Sequence, residues 1–240
     1  MKTYQVGGSV RDELLGVEPH DKDCVVVGSS PEEMIEAGFK PIGKDFPVFL
    51  HPDTKEEYAL ARTERKSGKG YHGFKFYYDP SVTLEDDLLR RDLTINAIAK
   101  DSQGKLIDPF NGQDDLFNKK LRNVSDAFCE DPLRAIRLGR FLSYKHISDF
   151  SITPQLKAIV KKILESGELN YLSGDRVFAE IDKAMQNHFP ENFFNFVVEN
   201  KLDKPWLKDI NSLDSFSASN SDLRWVELSC LNHFTDFDQI

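Results

Sequence analysis

Residues 7–27 read GGSVRDELLGVEPHDKDCVVV. Asp21 and Asp23 flank a single residue, and the apolar run of Cys24–Val27 follows at once. On a strand, residues two apart project from one face, so the two carboxylates stand side by side. Upstream, Gly7-Gly8 opens a helical segment through Leu14-Leu15 that Gly16 stops, with Ser9 or Asp12 placed to serve its start. Backbone N–H groups at the positive end of a helix suit a phosphate. A carboxylate pair beside them suits Mg²⁺, which takes a few carboxylates together with substrate oxygens. The stretch therefore points to phosphoryl or nucleotidyl transfer. No G-x-x-x-x-G-K-[ST] occurs and no G-x-G-x-x-G follows the first strand, which disfavours a P-loop NTPase and a Rossmann dinucleotide site.

Outward from this stretch, residues 2–6 read as a strand leading into the glycines, and Gly28 ends the Cys24–Val27 strand. Ser29-Ser30-Pro31-Glu32-Glu33 is a helix start, with Pro31 where its missing N–H costs nothing. Phe46–Leu50 and Glu57–Ala61 are strand candidates. The segment from Arg62 to Gly70 mixes glycine with positive charge and reads as an exposed, mobile loop. A helix is expected across 84–99, with strand-like pieces at 105–107 and 121–124 around a short helix at 111–119. Beyond about residue 128 the periodicity turns helical: Leu133, Ile136 and Phe141; Leu156, Ile159, Val160 and Ile163; Val177, Ile181 and Ala184; Phe193, Phe194, Val197 and Val198. The expected organisation is a head over 1–127, a helical neck over 128–187 and a partial helical body over 188–240.

The formal charge is −9, so any nucleic-acid contact must come from a local basic patch, not from long-range attraction. Cys24, Cys129 and Cys230 are scattered and lack metal spacing, which fits reduced thiols in a cytoplasmic protein. The six histidines form no metal constellation. No uninterrupted apolar stretch approaches the ~18 residues of a membrane span, so no membrane partner is expected.

GGSVRDELLG followed by DKDCVVVG is similar to the nucleotidyltransferase core of the DNA polymerase β superfamily. ARTERKSGKGY at 61–71, RRDLTINA at 90–97, EDPLRAIRLGRF at 130–141 and GDRVFAEIDKAM at 174–185 extend the match. In this order and spacing they resemble class II CCA-adding enzymes (tRNA nucleotidyltransferases) and their relatives, the bacterial poly(A) polymerases. The likeness covers roughly residues 1–200 and thins beyond, so a short or C-terminally truncated member is expected.

The resemblance implies an α+β head, a mixed sheet with flanking helices, followed by an all-helical neck and body. It implies a template-independent enzyme that adds C, C and A to the tRNA 3′ end from CTP and ATP, releasing pyrophosphate. Asp21 and Asp23 would be catalytic and bind two Mg²⁺ ions, one activating the primer hydroxyl and the other holding the triphosphate. Gly8 and Arg11 would contact the phosphates, and Arg91 the ribose or a phosphate. Asp131 and Arg134 would act as a protein template for the base, a carboxylate accepting from the exocyclic amine of C or A and a guanidinium donating to the ring acceptor edge. Arg137 and Arg140 would add base, ribose or phosphate contacts, because arginines three apart drift only slowly around a helix. Arg176 and Glu180 read as support, pairing with each other or with that helix. The basic loop resembles the one that helps this family switch from C to A addition, and a third carboxylate would be Glu57 or its neighbour Glu56. Poly(A) synthesis or partial (CC- or A-) addition are the alternatives within the class, and an inactive RNA-binding module is the alternative outside it.

Overall fold

The run Val25-Val26-Val27 has no polar alternation because the strand that carries it is covered on both faces. In the computed structural model, which describes residues 1–19, 21–42, 48–66, 74–207, 210 and 215–231, the chain forms two compact units that meet in sequence at Phe128 and Cys129.

The first unit is built on a seven-stranded mixed sheet. Its strands are β1 (Lys2–Val6), β2 (Asp23–Val27), β3 (Lys40–Pro41), β4 (Val48–Leu50), β5 (Glu57–Leu60), β8 (Ala99–Asp101) and β9 (Leu106–Ile107), in the order β3-β4-β5-β2-β1-β8-β9. Only β2 and β5 run parallel; β1 pairs antiparallel with both β2 and β8. Two further strands, β6 (Thr63–Lys66) and β7 (Phe74–Tyr77), form a separate antiparallel ribbon. On one face Val6, Val25, Ala61 and Ala99 pack with Val82 and Leu88; on the other Val26, Leu60 and Phe49 pack with Met34 and Phe39. Asp23 belongs to the first face, one step beyond Val25, where the apolar cover stops.

The helices of this unit begin and end where the chemistry says they should. α1 (Gly8–Leu14) is followed by Gly16 at a positive φ of 72°. α2 (Pro31–Glu36) carries a capping box between Ser30 and Glu33 with Pro31 in its first turn. α3 (Leu84–Leu89) has the same device between Thr83 and Asp86, and α4 (Gly112–Phe117) starts against Thr94, whose carbonyl a Cβ on Gly112 would strike at 2.2 Å.

Three expectations are corrected. The helix read across 84–99 stops at Leu89; Asp92 turns back to accept from the Leu93 N–H and the Asn96 amide, residues 94–96 make a 3₁₀ turn, and β8 begins at Ala99. Neither Ser9 nor Asp12 caps α1: Gly7 is the N-cap, while the Ser9 hydroxyl donates to the Val6 carbonyl. The basic segment read as loop from Arg62 carries strand on both flanks, in β6 and β7; its middle, 67–73 with Lys69, lies outside the described residues, as do residues 46–47.

The second unit is helical: α5 (Leu133–Ser143), α6 (Pro154–Ser166), α7 (Gly174–Gln186), α8 (Pro190–Glu199) and α9 (Ser221–Leu231). Leu156, Ile159, Val160 and Ile163 of α6 and Val177, Ile181 and Ala184 of α7 are buried, the stripe that a 3.6 period requires. α5 packs on α7 and α8. At Gly139 a Cβ would meet Phe196 at 3.0 Å and Phe193 at 3.2 Å, so the absence of a side chain sets how closely α5 and α8 approach. Among the described residues no helix is long and apolar enough to cross a membrane.

Candidate active site

Strand register gathers the carboxylates. Val6, the last residue of β1, pairs with Asp23, and on the other side Asp23 pairs with Glu57 of β5. Residues directly opposite in a ladder point to the same face. Glu57 therefore shares the face of Asp23, whereas Glu56 does not, a choice the sequence left open. Asp21, Asp23, Glu56 and Glu57 line one open cavity of about 470 Å³ together with Pro19, Lys22, Thr54 and Lys55. His20 lies outside the described residues.

Crowding by the surrounding protein raises the Asp23 carboxyl above the ordinary aspartate range; Arg91 pulls it down and Asp21 pushes it up again. Such a pair gains from a cation placed against it. The donors are all oxygen, which suits a hard ion such as Mg²⁺. Mg²⁺ held by two carboxylates takes its remaining ligands from substrate and water.

Gly7 occupies the tightest point. Its φ of 76° suits glycine, and a Cβ there would come within 3.0 Å of Arg91 Nη1 and 3.8 Å of Asp23 Oδ2. The strand end, the helix start and Arg91 thus converge within a few ångströms. Arg91 donates from Nη2 to Asp87 Oδ2 at 3.2 Å and from Nη1 to the Asn96 carbonyl at 3.4 Å, while its buried Nε finds no partner among the described residues. Asp87 is fully buried; it also accepts from Arg90 at 2.8 Å and from the Arg62 N–H at 3.3 Å. Burial alone would raise its carboxyl, but Arg90, Arg91 and the Arg62 N–H outweigh that and hold it below the ordinary range.

Arg11, expected at the phosphates, is only 4% exposed. It donates to Asp12 Oδ1 and, from Nη1, to Asn96 Oδ1 at 2.8 Å, and its guanidinium lies under Gly8, 3.4 Å from where a Cβ would be. Asn96 is itself oriented by Asp92, which links the RRD triplet to α1. Sequence reasoning missed Asn96 and Asp87; the signal for Asn96 was its place within RRDLTINA, and Asp87 was hidden among first-turn helix acids.

In the second unit, Asp131 precedes α5 and accepts from Arg176 Nη2 at 2.8 Å. Glu180, 4% exposed, accepts from Arg140 Nε and from Arg137 Nη1. Arg176 and Glu180 thus both pair with the α5 segment, Arg176 with Asp131 and Glu180 with Arg137 and Arg140. Steps of three residues rotate by about 60° around a helix, so positions 134 and 140 differ by about 120°. The structure shows the consequence: Asp131, Arg134 and Arg137 are partly exposed, whereas Arg140 is 6% exposed and donates to Glu180 and the Tyr144 hydroxyl. Arg140 is thus the most buried of the three arginines, while Arg137 and Arg140 share the Glu180 carboxylate.

The mixed sheet with its flanking helices and edge carboxylates is the head fold of the nucleotidyltransferases. Residues 3–122 match the family described as the Poly A polymerase head domain, and the chain belongs to that family. It is 59% identical over 189 residues to a Multifunctional CCA protein of Acinetobacter baumannii, an alignment covering 78% of this chain and 46% of that protein. Among solved structures it is similar to the Bacillus stearothermophilus CCA-adding enzyme in complex with CTP, with a TM-score of 0.79 and 25% identity over 97% of this chain and 59% of that one. It is also similar to the Thermotoga maritima CCA-adding enzyme complexed with tRNA, with a TM-score of 0.69 and 25% identity over 99% and 60% of the two chains. The chain spans about half the length of the curated relatives it matches.

Proposed function

We propose that the protein is a template-independent nucleotidyltransferase that adds C, C and A to the 3′ end of tRNA, taking CTP and ATP and releasing pyrophosphate. The observation that carries this is the register of Asp23 against Val6 and Glu57, with Gly7 and Arg91 at the same point. It supports a site for a metal-bound triphosphate at the end of a strand, and the names of the similar enzymes supply the nucleotide and the acceptor.

In this reading Asp21 and Asp23 hold Mg²⁺, which when bound neutralises phosphate charge and lowers the pKa of the attacking hydroxyl. Gly8 and the start of α1 face the triphosphate. Arg11, held by Asp12 and Asn96, contributes its charge from beneath Gly8, and Arg91 balances the charge of Asp23 and contacts ribose or phosphate. Asp131 and Arg134 read the base, each through hydrogen bonds that C and A satisfy and that U and G, with a carbonyl in place of the amine, do not. Arg137 and Arg140 add base, ribose or phosphate contacts, and their shared partner Glu180 ties α5 to α7.

The test is incubation with a tRNA lacking its last three nucleotides, with each NTP supplied singly and together. CTP alone is expected to add two residues, and ATP one more once CC is present. The name of the matched family favours poly(A) synthesis as a second reading. Long ATP runs without CTP would establish it and overturn CCA addition.

A further inference from the structure

Glu85, Asp86 and Asp87 all fall in the first turn of α3, where carboxylates favour the helix dipole. The structure separates them. Asp86 closes the capping box with Thr83, but the Asp87 carboxylate is fully buried and accepts from groups outside that cap. Its two oxygens divide their partners: Oδ1 accepts from Arg90 and from the Arg62 N–H, and Oδ2 accepts from Arg91 Nη2. A lone buried carboxylate is costly, so a site that keeps one has the surrounding cations fixed by it.

The other end of the same Arg91 fork is the informative one. Nη1 donates to the Asn96 carbonyl and lies 3.0 Å from where a Cβ on Gly7 would be, with Asp23 Oδ2 3.8 Å from that point. One planar group therefore spans from a buried carboxylate to the edge of the carboxylate pair. A lysine, a point charge on a flexible stem, cannot occupy both ends. The Arg62 N–H, immediately before β6, ties the root of the basic ribbon to the same carboxylate.

We infer that Asp87 is a positioning residue for nucleotidyl transfer: it fixes the plane of Arg91 against Gly7 and Asp23, and it anchors the root of the β6–β7 ribbon to that arginine. The inference rests on the nucleotidyltransferase reading above. Asp87 takes no part in bond making; it acts only through Arg91 and the ribbon root.

The experiment is single-nucleotide incorporation of CTP into CCA-less tRNA by the wild type, Asp87→Asn, Arg91→Ala, the double variant and Arg91→Lys, with thermal unfolding followed in parallel. The wild type must incorporate CMP, and its failure would remove the nucleotidyltransferase reading itself. Given that activity, Asp87→Asn is expected to lower kcat at least about tenfold, and Arg91→Ala by as much or more. The two losses are expected not to add: Asp87→Asn in the Arg91→Ala background costs less than about twofold more. A general loss of structure would instead multiply them. Full additivity in folded proteins, or wild-type kcat in Asp87→Asn, would overturn the inference. Where Asp87→Asn does not fold, Arg91→Lys decides. A loss close to that of Arg91→Ala supports the fixed fork, and wild-type kcat shows that any positive charge suffices.

Discussion

Two buried carboxylates each hold two arginines, and they do it differently. In the first unit Asp87 binds Arg90 and Arg91, three and four residues on, so both ion pairs belong to one helix end. In the second unit Glu180 of α7 binds Arg137 and Arg140 of α5, bridging two helices far apart in sequence. The local cluster turns one arginine outward to Gly7 and Asp23; the long-range one pulls Arg140 inward and locks a helix pair. A short-range ion pair can aim a side chain, whereas a pair across an interface fixes the elements that carry it.

The largest effect on stability is expected from breaking the long-range cluster. Glu180→Ala leaves the Arg140 guanidinium buried without its carboxylate and should cost about 3–5 kcal/mol in urea unfolding. Replacing both partners by apolar residues, Glu180→Leu with Arg140→Met, should return most of that loss, because the desolvation of two charges is removed together. If the single and double variants are equally unstable, the pair is not what holds α5 on α7.

A smaller effect sharpens the local side. The Asp87 carboxyl is held below its ordinary range in the folded protein, so it adds stability above the unfolded carboxylate pKa and loses it as pH falls through the depressed folded value. The stability difference between wild type and Asp87→Asn should accordingly be full at neutral pH and shrink on acidification. A difference that stays constant down the acid limb would show that the charge of Asp87 is not what matters. The smallest expected change has the opposite sign. Asp23 is raised by crowding and by Asp21, so its ionised form weakens the fold at neutral pH. Asp23→Asn is expected to unfold at a higher temperature than the wild type while losing nucleotide incorporation. A lower Tm would mean the carboxylate pair is not a site of stored repulsion.

These contrasts also explain what the sequence could and could not reveal. The strands at 2–6 and from Cys24 to Val27, the helix start at Ser29–Glu33 and the helical stripes of α6 and α7 were legible, because periodicity and helix-start chemistry are local properties. The break after Leu89 was not, since it depends on Asp92 and Asn96 finding partners off the helix. The choice between Glu56 and Glu57 was not legible either, because it requires the register of β5 against β2. The partners of Arg176 and Glu180 on the α5 segment were not legible as such, because they depend on how α7 packs against α5. The burial of Arg140 was not legible, because its partner Glu180 comes from another helix.

The proposed division of labour gives transfer to the carboxylate pair of the head and base choice to Asp131 with Arg134. The direct measurement is the ratio of CTP to UTP incorporation into CCA-less tRNA by the wild type and by Asp131→Asn. An asparagine amide can donate to the carbonyl that uracil presents where cytosine has an amine. The preference for CTP is expected to fall by about 100-fold or more in this variant, with incorporation itself retained. A variant that keeps the wild-type preference would contradict it.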